Sequence, residues 1–433
     1  MEERVLSTDL GPRAGERVRV AGWLHHQRQL ARVAFALVRD RAGIVQVVVE
    51  DAGLRAELDG LAPETVLAVD GVAVESDQAP GGVEIHGPRV EVIARPSGPP
   101  PPFELRRPEL NAQLPTLLDH AAAALRHPRR RAITKVAAAS VAGFRDALDA
   151  LDFTEVHTPK LVASATETGA NVFSVDYFGR RAYLAQSPQF YKQTMVGVLE
   201  RVYEVGPVFR AEPHDTARHL AEYVSLDAEM GFIGDHADVM AVLRSTLAGM
   251  VDAVRTRAPG DMAALDVTPP EVPAEIPSVD FTTAQHMIEA DTGEPTVGEA
   301  DLAPAHERWI GEWAGREHGS DFVFVTGYPA AKRPFYTHPD PARPGFTNSF
   351  DLLFRGIELV TGGQRLHRYD DVMAALGNQD PGPLAGYLDA FRYGLPPHGG
   401  FAIGLERWTA RLVGAANIRE VTLFPRDLNR LSP

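Results

Sequence analysis

No cysteine occurs in the 433 residues, which excludes disulfides, thiolate metal sites and a cysteine nucleophile. Runs of about 18 apolar residues are missing too, so no membrane-spanning helix is expected. The opening stretch MEERVLSTDLGPR has no apolar core of the kind a signal peptide needs. These absences predict a cytoplasmic protein. Lysine is scarce: Lys135, Lys160, Lys192 and Lys332 are the only four, and the remaining positive charge is Arg. A lysine kept in so Arg-biased a chain invites a specific role. The net charge of −15 runs against nucleic-acid binding in bulk, because phosphate contacts reward Lys and Arg, although a local basic face meets that need. The hydrophobic fraction of 44% and charged fraction of 23% are those of an ordinary globular protein, and the length predicts two or three domains.

Residues 1–96 read as five short Val-rich strands: Arg17–His25, Val33–Arg39, Ile44–Glu50, Thr65–Glu75 and Val83–Ala94. Turn signals at Arg41-Ala42-Gly43, Asp70-Gly71 and Pro80-Gly81-Gly82 punctuate them. Such a run suits a small OB-type barrel, whose open face binds oligonucleotides; a small β-barrel of another kind fits the same pattern. Residues 97–132 form a linker opened by the stiff run Pro99–Pro102. Residues 133–433 form a larger α+β domain, beginning with an amphipathic helix over Val136–Leu151 that puts Val141, Phe144 and Leu148 on one face.

The segment Arg201–Phe232 reads as strand, polar loop, strand. Alternation puts Arg210 and Glu212 on one side, and likewise Ser225, Asp227 and Glu229, while the loop carries His214, Arg218 and His219. A guanidinium forks onto phosphate and a carboxylate accepts from an exocyclic amine, so the surface suits a nucleotide; a solvated face of ion pairs fits equally. In Phe350–Arg365, a two-residue turn at Arg355-Gly356 sets Leu353 opposite Glu358, with Asp351 diagonal to it. Carboxylates roughly 7–8 Å apart suit one hydrated Mg²⁺, or are two solvated acids. Gly399–Arg407 leads into a helical pattern at Trp408, and its glycines make room for a ligand.

Three segments resemble, in order, the signature motifs of class II aminoacyl-tRNA synthetases: FTEVHTPKL, FRAE…RHLAEYVSLDAEM and GGFAIGLERW. QSPQFYKQ, GYPAAKRPFYT, GGQRLHRY and the terminal LFPRD are similar to the aspartyl-tRNA synthetases in particular. With no large insertion between the second and third motifs, the resemblance is to the archaeal and eukaryotic branch. It implies an N-terminal OB-fold anticodon-binding domain and a catalytic domain built on an antiparallel sheet flanked by helices. It also implies ATP, Mg²⁺, L-aspartate and tRNA as ligands, and a homodimer packed at Pro159, with neither DNA nor a membrane as partner.

The same resemblance implies roles. Arg210 meets the α-phosphate and Glu212 the adenine amine; Tyr223 lies beneath adenine with Arg407 above, and His219 contacts the triphosphate. Arg210 and Arg407 are the catalytic pair, and Asp351 and Glu358 are the Mg²⁺ ligands. Lys192 and Arg365 hold the substrate's side-chain carboxylate, so that asparagine would leave two buried cations without an anion. Gln189, Asp227 and Glu167 surround the α-ammonium. In the barrel Arg28, Phe35 and Gln46 match anticodon contacts, although Phe35 also suits a core position. His25 and Pro80 match the type that charges both tRNA-Asp and tRNA-Asn; an enzyme restricted to tRNA-Asp, an asparaginyl-tRNA synthetase and a non-charging paralogue are the alternatives. The chain departs from the family at His120–Arg126, where Ala121–Ala124 replaces a polar run, and at Thr168, where a glycine is usual.

Overall fold

In the first strand, Arg17–Gln29 (β1), Val18, Val20, Gly22 and Leu24 are buried and the residues between them face outward. The alternation recurs in β2 (Ala34–Arg39), β3 (Ile44–Val49), β4 (Val66–Glu75) and β5 (Val83–Ala94). A sheet with one apolar face must cover it. Here it closes on itself, in the order β1-β2-β3-β5-β4, around a core including Val20, Leu24, Val38, Val47, Val69 and Ile85. The β3–β5 pair is parallel and the others antiparallel. The short helix Ala52–Asp59, absent from the sequence reading, is capped by Asp51, whose Oδ1 accepts the Leu54 N–H at 2.8 Å.

The computed structural model describes residues 3–163 and 171–433, and the chain divides into units Met1–His127 and Pro128–Pro433. Of the stretch set apart above as a linker, residues 97–127 fall in the first unit, where Phe103, Leu105, Leu117 and Ala124 form a small core. The remainder opens the helix Pro128–Asp149 in the second. That helix begins eight residues before Val136, since proline is well placed in a first helical turn.

The second unit carries β6 (Thr154–Glu155), β7 (Leu161–Val162), β8 (Ser174–Tyr177), β9 (Arg180–Leu184), β10 (Arg201–Phe209) and β11 (Glu222–Gly231). These are followed by β12 (Ser278–Asp280), β13 (Phe322–Thr326), β14 (Ser349–Phe354), β15 (Ile357–Arg365) and β16 (His398–Gly404). Eight of them make one sheet, ordered β12-β13-β14-β15-β16-β11-β10-β6, while β7, β9 and β8 make a smaller one. The expected antiparallel sheet is thus a mixed one: its inner pairs are antiparallel, but β12–β13 and β10–β6 run parallel. β12 and β13 are linked through the helices Phe281–Thr292 and Pro304–His318, and such a crossover returns the chain in the same direction.

One face of this sheet is apolar. Leu226, Ala228, Phe350, Leu352, Phe401 and Ile403 pack into a core with residues of the helices Pro128–Asp149 and His236–Arg257. Those helices meet where side chains vanish: a Cβ on Gly143 would lie 2.5 Å from the Gly249 carbonyl. At the other end of the core, Phe354 stacks on Phe322 at 4.6 Å and on Trp408 at 5.3 Å. The Trp408 indole N–H donates to Ser140 Oγ at 2.9 Å. No helix among the described residues is long and apolar enough to cross a membrane.

Removing the middle ring of that stack tests how far the sheet depends on it. Phe354→Ala is expected to lower the unfolding free energy of the second unit by about 3–5 kcal/mol, read by urea denaturation; a loss below about 1 kcal/mol would contradict the packing described.

Candidate active site and nucleic-acid interface

The opposite face of the sheet is polar. On β11 alternation presents Tyr223, Ser225, Asp227 and Glu229, and the neighbours they meet on β16 are Gly404, Ala402 and Gly400. β15 continues the floor with Thr361 and Gly363. A Cβ on Gly400 would collide with Glu229 Oε2 and the Ala228 carbonyl. The floor is paved with small residues so that charged side chains can lie on it.

At one end Arg210, Glu212, His219, Tyr223, Glu358 and Arg407 line a single cavity of about 170 Å³. Arg210 and Glu212, expected on a strand, lie on the loop after β10, which ends at Phe209. Pro213 follows at once and has no N–H for a ladder. Arg210 lies over the Tyr223 ring, 5.7 Å from its centre. Arg407, on the other wall, donates to the Glu358 carbonyl at 2.7 Å and faces the Glu358 carboxylate at 3.6 Å. Glu212, His214 and His219 bring one ligand atom each within 4.8 Å of one another. Arg210 lies 3.9 Å from Glu212, and Arg407 and Arg218 add positive potential at His219, whose pKa is lowered by burial first and then by those cations. Three guanidiniums make the cluster a better seat for an anion than for a metal.

Next along the face lies a buried quartet. Lys192 comes from the helix Gln189–Leu199 and sets Nζ 3.1 Å from Asp227 and 3.2 Å from Glu229. Arg365, at the end of β15, sets Nε 2.9 Å from Glu229 and donates Nη2 to the Gly400 carbonyl at 3.0 Å. All four are nearly or wholly inaccessible, Glu229 entirely so. Burial alone would raise the Glu229 pKa, but Arg365 and Lys192 hold it below the usual carboxylate range. The expectation of two cations awaiting an anion is therefore corrected: Asp227 and Glu229 already balance Lys192 and Arg365. Asp227, expected at an α-ammonium, is partner to Lys192 and accepts from Ser225 Oγ at 2.6 Å. Gln189 is buried, and its Nε2 has no hydrogen-bond partner among the described residues. Glu167 lies outside the described residues, as does Thr168.

A second chain of bonds backs the quartet. Tyr387 donates to Gln193 Oε1 at 3.0 Å, Gln193 Nε2 meets His398 Nε2 at 2.9 Å, and His398 Nδ1 meets the Pro396 carbonyl at 2.9 Å. A carbonyl only accepts and an amide nitrogen only donates, so His398 carries its proton on Nδ1 and is neutral. Burial holds its pKa down to about 4.

The β14–β15 hairpin turns as expected: Arg355 and Gly356 both have positive φ, and Leu353 faces Glu358. A bulge shifts the register so that Asp351 sits opposite Thr361. Asp351 is buried and paired with Arg333 at 2.9 Å, a partner the sequence reading missed. Burial raises the Asp351 pKa, Arg333 opposes this, and the nearby Glu358 charge adds to the rise. Two neighbouring carboxylates that repel each other fit a hydrated divalent cation.

In the first unit Phe35 is half-buried on the outer side of β2, between buried Ala34 and Ala36, so it is not a core residue. Arg28 lies directly across from it, and Gln46, opposite Leu37, donates to Glu84 at 2.8 Å. Pro80 is exposed, in a short turn before β5. His25 is the extra residue of a bulge in β1 and, like Leu24 before it, is buried. There Arg39 Nη1 lies 3.1 Å from His25 Nδ1, and Arg39 also pairs with Glu64 at 2.8 Å. Arginine only donates, so His25 Nδ1 accepts and the ring is neutral with its proton on Nε2. Burial and then Arg39 lower its pKa. The ring borders a cavity of about 1030 Å³ also lined by Trp23, Glu64, Phe103 and Arg126.

A sign follows from His398. Its folded-state pKa lies below that of an unfolded histidine, so the unfolded chain takes up the proton first. Stability is complete above about pH 6.5 and declines as the pH falls towards about 4, by up to roughly 3 kcal/mol. Denaturation of wild type and His398→Gln between pH 7 and 4 measures it; equal slopes in the two proteins would refute the assignment.

Residues 113–428 match the family model of class II tRNA synthetases (D, K and N), and residues 18–93 match an OB-fold nucleic acid binding domain. Among curated relatives, an aspartate--tRNA(Asp/Asn) ligase of Thermus thermophilus is 48% identical, with 99% of this chain and 100% of the relative covered. An aspartate--tRNA(Asp) ligase of Pyrococcus horikoshii is 37% identical, with 97% of each chain covered. Among solved structures, asparaginyl-tRNA synthetase of Pyrococcus horikoshii complexed with asparaginyl-adenylate has a TM-score of 0.92 at 32% identity, covering 100% of both chains. A polar, arginine-lined cleft on a sheet of this order, a five-stranded barrel and likeness along the whole length agree: the chain belongs to the class II tRNA synthetases of the D, K and N group.

Proposed function

We propose that this enzyme activates L-aspartate with ATP and transfers it to both tRNA-Asp and tRNA-Asn. The observation that carries the reading is the continuity of one strand face, from the cavity lined by Arg210, Tyr223 and Arg407 to the Lys192–Asp227–Glu229–Arg365 quartet. ATP lies in the cavity, with Arg210 on the α-phosphate, Glu212 at the adenine amine, and His219 and Arg407 along the triphosphate. The aspartate α-carboxylate attacks the α-phosphorus in line, and pyrophosphate leaves. The 3′-terminal ribose hydroxyl of the tRNA then attacks the aspartyl carbonyl, and AMP leaves. No side-chain nucleophile takes part; the protein supplies position and charge neutralisation. Asp351 and Glu358 would hold Mg²⁺, which neutralises phosphate charge when bound.

Selection works within a balanced quartet. Arg365 uses Nε and Nη2 on Glu229 and Gly400, and among the described residues no acceptor meets its Nη1. The substrate carboxylate docks there and against Lys192, which the quartet keeps charged and aimed. Gln189 supplies a buried amide whose spare donor suits a substrate oxygen; turned over, the same amide offers its oxygen to the α-ammonium. Glu167 completes the ammonium site. Asparagine presents an amide N–H₂ to donors already crowded at Lys192, and is rejected.

The anticodons of the two tRNAs differ only in a third-position C or U. A neutral His25 offers one donor, Nε2–H, and both pyrimidines carry an O2 acceptor, so that contact reads a pyrimidine without separating the two. Phe35 stacks on a base, with Arg28 and Gln46 beside it; the exposed Pro80 turn adds no cation that would choose between C and U. The domains act as anticodon barrel (residues 1–96), linker (97–132) and catalytic domain (133–433). We place the enzyme in the cytoplasm as a homodimer joined at Pro159. Exposed Leu161, Tyr177 and Phe178 on the small sheet that follows support the dimer, which sedimentation would test.

ATP–pyrophosphate exchange is expected with aspartate and absent with asparagine; exchange with asparagine alone would overturn the reading. Lys192→Gln should raise KM for aspartate about ten- to a hundred-fold while leaving KM for ATP within about two-fold. Transcripts differing only at the third anticodon base should both be charged, and an uncharged tRNA-Asn transcript would restrict the enzyme to tRNA-Asp.

A further inference from the structure

Glu307 belongs to none of the motifs above. It sits on the helix Pro304–His318, in a Pro-flanked stretch with little sequence signal, and is buried. Its Oε2 accepts the backbone N–H of Glu358 at 3.0 Å and lies 3.5 Å from Arg218 Nη1. Glu358 and Arg218 both line the nucleotide cavity. Arg407 in turn donates to the Glu358 carbonyl at 2.7 Å. The Glu358 residue is thus held at both ends of its backbone, by an anion on its N–H and a cation on its C=O.

The helix that carries Glu307 is fixed to the same turn. Gly311 lies one helical turn further on, on the same side as Glu307. A Cβ on Gly311 would lie 2.6 Å from Gly356 Cα, and one on Gly356 would lie 3.0 Å from Arg308 Cα. Backbone therefore packs on backbone at the tip of the β14–β15 hairpin. The contact sets the height of the helix, and Glu307 reaches across to the first residues of β15.

We propose that Glu307 is a positioning residue for the nucleotide site: it fixes where β15 presents the Glu358 carboxylate and holds Arg218 at the cavity mouth. It touches no reacting atom, and the assignment rests on the reading of this cavity as the ATP site. The effect belongs on ATP and its divalent cation, not on aspartate, because the quartet makes no contact with Glu307.

The test compares wild type, Glu307→Ala and Glu307→Gln in the full chain. ATP–pyrophosphate exchange gives KM for ATP and for aspartate, and electron paramagnetic resonance gives Mn²⁺ affinity in the presence of a non-hydrolysable ATP analogue. Glu307→Ala should raise KM for ATP and weaken Mn²⁺ binding, each about ten-fold, with KM for aspartate within about two-fold. Glu307→Gln keeps an acceptor for the Glu358 N–H but loses the charge facing Arg218, so it should recover most of the Mn²⁺ affinity and only part of KM for ATP. Unchanged ATP and Mn²⁺ values in either folded variant, or equal rises in both KM values, would overturn the assignment. Should Glu307→Ala fail to fold, Glu307→Gln decides alone by the same split. A wild type without exchange would sink the reading of the cavity itself and this assignment with it.

Discussion

Two cations and two carboxylates closed away from water on one sheet face set the terms for the rest of this molecule. Lys192, Asp227, Glu229 and Arg365 cannot be buried singly, because an unpaired charge in such a place costs several kcal/mol. Together they neutralise one another, with Glu229 between the two cations. Removing any one leaves a buried charge without its partner. The arrangement needs β11 to present alternate carboxylates, the helix Gln189–Leu199 to deliver the lysine, and glycine at position 400 to leave space above the floor.

From that requirement the two-faced sheet follows. The same strands that lift Ser225, Asp227 and Glu229 to one side turn Leu226, Ala228 and Met230 to the other, where two long helices cover them. Close packing resists small shifts, so the polar face inherits the rigidity of the apolar one. The site is further braced from behind by Tyr387, Gln193 and His398, and Glu307 and Arg407 grip the hairpin residue Glu358 from two helices. Much of the precision here comes from supports set behind the groups that line the site.

Charge is distributed with the same economy. The chain is strongly acidic overall, yet Arg210, Arg218 and Arg407 gather at one cavity. In the barrel, Arg39 is held between Glu64 and His25, and that pairing fixes which ring nitrogen of His25 bears the proton. A group's neighbours, more than its identity, decide what it offers a ligand.

Much of this was legible in the residues. Period-two burial marked the barrel strands, and the turn at Arg355-Gly356 was right because a two-residue hairpin turn asks for positive φ, which glycine accepts readily. The alternation Ser-x-Asp-x-Glu on β11 likewise put three polar groups on one face, a local consequence of strand geometry. What the sequence could not reveal was contact between distant segments. That Glu229 pairs with Arg365, 136 residues on, that Arg333 meets Asp351, and that Glu307 reaches Glu358 are outcomes of packing. So were the bulge that leaves His25 buried and the parallel edges of the main sheet. Sequence by itself determined which faces are polar and where the chain turns, because those depend on neighbours along the backbone. Only the tertiary structure decided which charges balance, since a buried ion pair is chosen by what folding brings within about 3 Å.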